Sequence, residues 1–150
     1  MISKIERFTV TTRRELELID ITAQVEGAVA SSGVQEGVVF VMSLHTTTAL
    51  TVNEGLPDLE ADIAGCLEAL VPERFSYRHA RFLPSDGQMA INAPSHLRGA
   101  LLGFQAFFPV EAGRMVRGGR QTIYFVELDG PQERTYLIQV LGLRQRKESL

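Results

Sequence analysis

The chain has no tryptophan, one cysteine, three histidines and six prolines in 150 residues. A lone Cys66 closes no internal disulfide and excludes a zinc–thiolate cluster within one chain. No apolar run approaches the ~20 residues of a transmembrane helix. The opening residues, MISKIERFTV, hold no signal-peptide hydrophobic stretch. These absences predict a cytoplasmic protein with no membrane partner. A basic excess is lacking too: fifteen Lys+Arg face eighteen Asp+Glu, a formal charge of −3. That balance argues against a nucleic-acid binder. Neither GxGxxG nor GxxxxGK[ST] occurs, so the common phosphate loops are excluded.

What remains is a 45% apolar chain of 16.6 kDa. A chain of this length buries roughly 68–70% of its unfolded surface without staples. The expectation is one domain over 1–150, with 143–150 as a charged tail. An imperfect alternation of Ile2, Ile5, Phe8 and Val10 predicts a strand over 2–11, and a charged turn at Thr12, Arg13 and Arg14 leads into a second short strand over 16–21. Thr22 suits the N-cap of a helix reaching residue 30, with Gly33 as its stop. The run VVFVMSL at 38–44 suits a strand buried on both faces, and 49–52 continues extended. Pro57-Asp58 opens a helix that Pro72 closes. Its apolar stripe is Leu59, Ile63, Cys66, Leu67 and Leu70, which makes Cys66 a core residue. Residues 73–90 read as a long loop, and 92–102 as a short helix with Asn92 or Ser95 as cap. Strands follow at 104–110, 114–116, 121–128 and 135–141. Strands dominating both ends, with helices between, predict α+β: a β-rich mixed or antiparallel, sandwich-like core with about three helices.

The chemistry-bearing candidates are few. His45, His79 and His96 fall at a strand end, in a polar loop and on a short helix. Imidazoles ligate divalent metals and move protons near neutral pH, and three with an open position suit catalytic zinc. None of these has the i,i+4 spacing of a helical metal motif, so unrelated surface histidines are the competing reading. Thr46, Thr47 and Thr48 follow His45 and offer hydroxyls to a phosphate, or simply suit an extended backbone. Glu54 precedes its helix and has no capping role, unlike Asp58 and Asp62, which complement the helix dipole. Arg114, Arg117 and Arg120 recur every third residue, a spacing that puts no single face of a strand to use; arginine nonetheless fits phosphate oxygens bidentately. Asp129 suits a turn, and Glu127 stays open between roles.

These residues resemble a known family. Ser43-Leu44-His45-Thr46-Thr47-Thr48-Ala49-Leu50-Thr51-Val52-Asn53-Glu54 is similar to the HTTxxLTINE signature of the YjbQ family, also described as the secondary thiamine-phosphate synthase family. The likeness continues through Tyr77-Arg78-His79, Asn92-Ala93-Pro94-Ser95-His96-Leu97 and Gly113-Arg114. It closes on Gln121-Thr122-Ile123-Tyr124-Phe125-Val126-Glu127-Leu128-Asp129-Gly130-Pro131, where Arg120 replaces the family's tryptophan. The resemblance implies an α+β domain assembled as a homotrimer, with His45, His79 and His96 in one cluster near a subunit interface. It implies catalytic roles for those histidines and Glu54, substrate or anion contacts from Thr46, Thr47, Asn92 and Arg114, and a divalent metal such as zinc on the histidines. The implied activity is weak thiamine-phosphate synthase: hydroxymethylpyrimidine diphosphate condenses with thiazole phosphate and releases pyrophosphate. A metal-dependent phosphate-ester hydrolase and a non-catalytic binder of a metal or small phosphorylated metabolite are the alternatives.

Overall fold

The computed structural model describes residues 1–79 and 91–144, and the backbone of 82–83 and 88–89. In chain order the elements are β1 (Ile2–Thr11), β2 (Glu17–Asp20), α1 (Thr22–Ser32), β3 (Glu36–Ser43), β4 (Thr48–Glu54) and α2 (Pro57–Leu70). Then come β5 (Phe82–Leu83), β6 (Gln88–Met89), α3 (Ala93–Leu102), β7 (Gln105–Glu111), β8 (Arg114–Met115), β9 (Gln121–Glu127) and β10 (Glu133–Leu143). The expected loop over 73–90 thus holds two short paired strands. Its remaining undescribed positions, and the tail beyond 144, lie outside the described residues.

Two larger sheets order these strands as β1-β10-β3-β7-β8 and β2-β9-β4, with every pairing among the described residues antiparallel. The α+β expectation therefore holds, without the parallel pairing a mixed sheet would show. The period-two side-chain alternation decides what each sheet buries. From the five-stranded sheet, Val39, Val41, Phe108, Val110, Ile138 and Val140 turn inward. They meet Leu50, Ile123 and Phe125 of the three-stranded sheet, with Val25 and Val29 of α1. The opposite face of that smaller sheet presents Ala49, Tyr124 and Val126, covered by Leu67 and Ile63 of α2 and Leu102 of α3. β9 is thus the strand buried on both faces.

β3 is not. Its outward residues Val38 and Phe40 are half-buried and Met42 is exposed, because none of the described elements covers the outer face of the larger sheet. Two further local expectations fail for identifiable reasons. Thr22 does not cap α1: its hydroxyl accepts the Ile123 N–H at 2.9 Å, while Asp20 Oδ1 takes the Thr22 N–H at 2.9 Å. Cys66 is exposed, since α2 buries the narrower stripe through Leu67. Gly33 does end α1, at φ 76°, a left-handed conformation that glycine adopts without Cβ strain.

Candidate functional site

His45 ends the β3 run on the loop that turns into β4. The Thr48 hydroxyl donates to the His45 carbonyl at 2.9 Å and is also hydrogen-bonded to Ser43 Oγ, which fixes the loop backbone. The ring is fixed separately: the Thr135 N–H donates to His45 Nε2 at 3.0 Å. Burial lowers the imidazole pKa below its usual 6.5; the Arg134 cation lowers it further, against an opposing pull from Glu127. The ring lines a cavity of about 570 Å³ with Met42, Ser43, Leu44, Thr46, Phe104 and Gln105.

Beneath this loop lies an ionic network. Glu127, fully buried, and Arg134, 6% exposed, meet through two hydrogen bonds. Arg134 Nη2 also donates to the Thr47 hydroxyl at 2.9 Å, so Thr47 braces the network rather than facing a cavity. Thr12 Oγ1 donates to Glu127 Oε2 at 2.8 Å, and the Asp129 N–H reaches Oε1 at 2.9 Å. Burial alone would raise the Glu127 pKa; the bonds from Arg134, the Asp129 N–H and Thr12 outweigh it and hold the carboxyl below 4.5.

The other two histidines come together. His79 and His96 stand edge to face, ring centres 5.1 Å apart. They line a cavity of about 430 Å³ with Tyr77, Arg78, Ala93 and Leu97. Proline at the start of α3 fits a position whose N–H has no helical partner. Asn92 spends its amide outside the helix, donating to Asp129 Oδ2 at 2.9 Å, and Ser95 Oγ donates to the Leu128 carbonyl at 2.6 Å. Together they dock α3 on the turn after β9. Arg98, 2% exposed, donates Nε and Nη2 to the Val71 carbonyl at 3.2 and 2.7 Å and pairs with Glu73 at 3.0 Å. It thereby ties α3 to the segment that leads to His79.

One chain does not unite all the expected residues. Among the described residues, no three His, Cys, Asp or Glu side chains gather as a metal-binding group, so a His45–His79–His96 zinc site is not assembled within a single chain. Glu54 lies at the far end of β4, about 20 Å from Thr48 at the usual rise per residue, and pairs there with Arg120 at 3.1 Å. Arg114 lines a separate cavity with Glu26, Ala30, Gly113 and Met115. Neither touches an imidazole of its own chain.

The family model described as UPF0047 protein YjbQ-like matches residues 6–143. The chain belongs to the YjbQ/UPF0047 family. A UPF0047 protein of Methanothermobacter thermautotrophicus is 43% identical over 131 residues, covering 87% of each chain. The UPF0047 protein YugU of Bacillus subtilis is 34% identical, covering 88% of this chain and 94% of YugU. A solved structure described as a YbjQ-like protein of unknown function, from Sulfolobus solfataricus P2, superposes with a TM-score of 0.86 at 35% identity. It covers 94% of this chain and 98% of its own.

Within this YjbQ framework, sequence reasoning passed over Arg134, Arg98 and Thr12. Arg134 was detectable. It shares the strand face of Tyr136, Ile138 and Val140 in RTYLIQV, and a charge on a core face requires a buried partner. Glu127, within the two-sided apolar run IYFVEL, carried the same signal.

Proposed function

We propose that the cavity beside His79 and His96 binds a small phosphorylated metabolite and carries a weak condensation of the thiamine-phosphate synthase type. The observation that supports this reading is the imidazole pair standing beside Arg78 in one cavity. In the reaction, the thiazole nitrogen attacks the methylene carbon of the pyrimidine diphosphate. The new C–N bond forms as the C–O bond to pyrophosphate breaks. Negative charge grows on the leaving oxygen, and the Arg78 guanidinium with the imidazole N–H groups is suited to stabilise it. Incubation with the two substrates, followed by chromatography for thiamine phosphate and pyrophosphate, tests the reading. His79→Ala and His96→Ala each abolish product if it holds. Release of inorganic phosphate from generic esters, with no condensation product, would favour the hydrolase alternative. Ligand binding with no turnover would favour a binding protein. A divalent ion such as zinc, in this reading, has His79 and His96 as its ligands from this chain and requires a further donor. Chelation with metal analysis tests it.

The protein acts as a homotrimer in this proposal. Ile5, Met42, Leu44, Phe104, Phe107 and Leu143 leave an apolar area on the outer face and rim of the larger sheet, with Phe107 70% exposed. Patches of this kind mark association surfaces. Burying that face would also explain why β3 is apolar on both sides.

A further inference from the structure

We propose that His45 is a fixed, uncharged hydrogen-bond donor that receives the neutral acceptor end of a small ligand, a heteroaromatic ring nitrogen or a carbonyl oxygen, and that it is not a metal ligand. The proposal deepens the small-molecule reading above and rests on it for the existence of such a ligand. Its foundation is the hydrogen bond from the Thr135 N–H to His45 Nε2. A peptide N–H can only donate, so Nε2 must present its lone pair. A neutral imidazole carries one proton, which therefore sits on Nδ1. Burial and the neighbouring Arg134 disfavour a second proton. Binding a metal through Nδ1 would move the ring proton to Nε2, where it would face the donating Thr135 N–H, and binding through Nε2 would require breaking the Thr135 bond directly.

The cavity fits an uncharged acceptor. Met42, Leu44 and Phe104 supply apolar walls, while Ser43, Thr46 and Gln105 supply polar groups without charge. Among the described residues no lysine or arginine lines it, so none of them offers an anion a counter-charge there. Arg78 lies in the other cavity, beside His79 and His96. α3, which carries His96, packs against the loop that carries His45 and Thr46: the Thr46 and Thr48 carbonyls lie 3.4 and 3.1 Å from where a Cβ on Gly99 would stand, one helical turn from His96. A ligand with a heteroaromatic end and a phosphorylated end thus matches the division of chemistry between the two cavities. The loop and ring restraints on His45 hold the donor in place before a ligand arrives, which reduces the ordering cost of binding.

The test uses the intact protein labelled with 15N-histidine. Long-range 1H–15N spectra should show His45 with a protonated Nδ1 and a bare Nε2. Zinc alone should leave its resonances in place. Pyrimidine should shift the Nδ1 signal, and inorganic phosphate should not. His45→Asn, whose amide N–H reaches the Nδ1 position, should retain pyrimidine binding. His45→Gln, whose amide reaches the Nε2 position, should weaken it about tenfold. A proton on Nε2, displacement of the His45 signals by zinc, a response to phosphate alone, or no response to pyrimidine would each overturn the proposal. Loss of condensation activity with the His45 results intact would instead overturn only the proposed reaction.

Discussion

Glu127 and Arg134 meet through two parallel hydrogen bonds, Nη2 to Oε1 at 2.7 Å and Nε to Oε2 at 2.8 Å. One residue ends β9 of the smaller sheet and the other is the second residue of β10 in the larger. The pair therefore clips the two sheets together directly under the loop that carries His45. Removing one partner of a buried ion pair leaves an uncompensated charge, at about 3–5 kcal/mol. Arg134→Met is expected to lose stability in that range by urea denaturation. The double variant Glu127→Leu/Arg134→Met should recover much of it.

Acid should destabilise the fold in two stages. His45 and Glu127 both have folded pKa values below their ordinary ones, so the unfolded chain binds each proton more readily. Their stabilisation is complete above the unfolded values and is lost as pH falls through the folded ones. Urea midpoints should decline below pH 6.5 and again below 4.5. His45→Asn should remove the first decline and leave the second. An unchanged profile in that variant would contradict the assignment.

Gly99 permits the close approach of α3 to the loop at 46–48. A Cβ there would stand 3.1 Å from the Thr48 carbonyl and 3.6 Å from Leu128 Cδ1, and backbone oxygen yields little. Gly99→Ala should therefore be destabilising by about 1–3 kcal/mol, although the same change in an exposed helix is stabilising. Thermal melts of this variant and of Gly65→Ala, where nothing lies within 4 Å, give the comparison.

Arg98 holds the segment after α2 against α3. Arg98→Met removes two charge-assisted bonds to the Val71 carbonyl and should cost about 1.5–3 kcal/mol. Because His79 lies beyond Val71 and His96 lies on α3, amide exchange over 71–79 should accelerate in the same variant. Unchanged exchange would show that other contacts hold the segment.

Phe107 lies at the centre of the oligomer proposal. Sedimentation should give about three times 16.6 kDa for the wild type, and Phe107→Lys should shift it toward the single-chain mass. A wild-type species at the single-chain mass would contradict the trimer.

Strand and helix positions were legible because period-two and helical patterns report directly on which face is covered. β1 shows this alternation in burial along its whole length, and β10 as far as Leu141. The run at 38–44 misled because apolar residues on both sides of a strand look alike whether a neighbouring element covers them or, as among the described residues here, none does. Cys66 misled because a helix stripe drawn from apolarity alone is wider than the strip α2 buries. At the site, His79 meets His96 without His45, and no spacing in the sequence reveals that pairing. Their meeting depends on Arg98, Asn92 and Ser95 docking α3, and each of these contacts spans at least 27 positions. Glu54 lacks a capping role for another reason: it sits at the far end of the seven-residue strand β4 and pairs there with Arg120, away from His45 of its own chain.

The exposed Cys66 is the chain's one thiol. A maleimide dye would attach at a single point on the outer surface of α2, with no cysteine to remove first. In an assembly of identical copies, those labels would repeat with the symmetry of the assembly. Energy transfer among them would then count and space the protomers without any engineered change to the sequence.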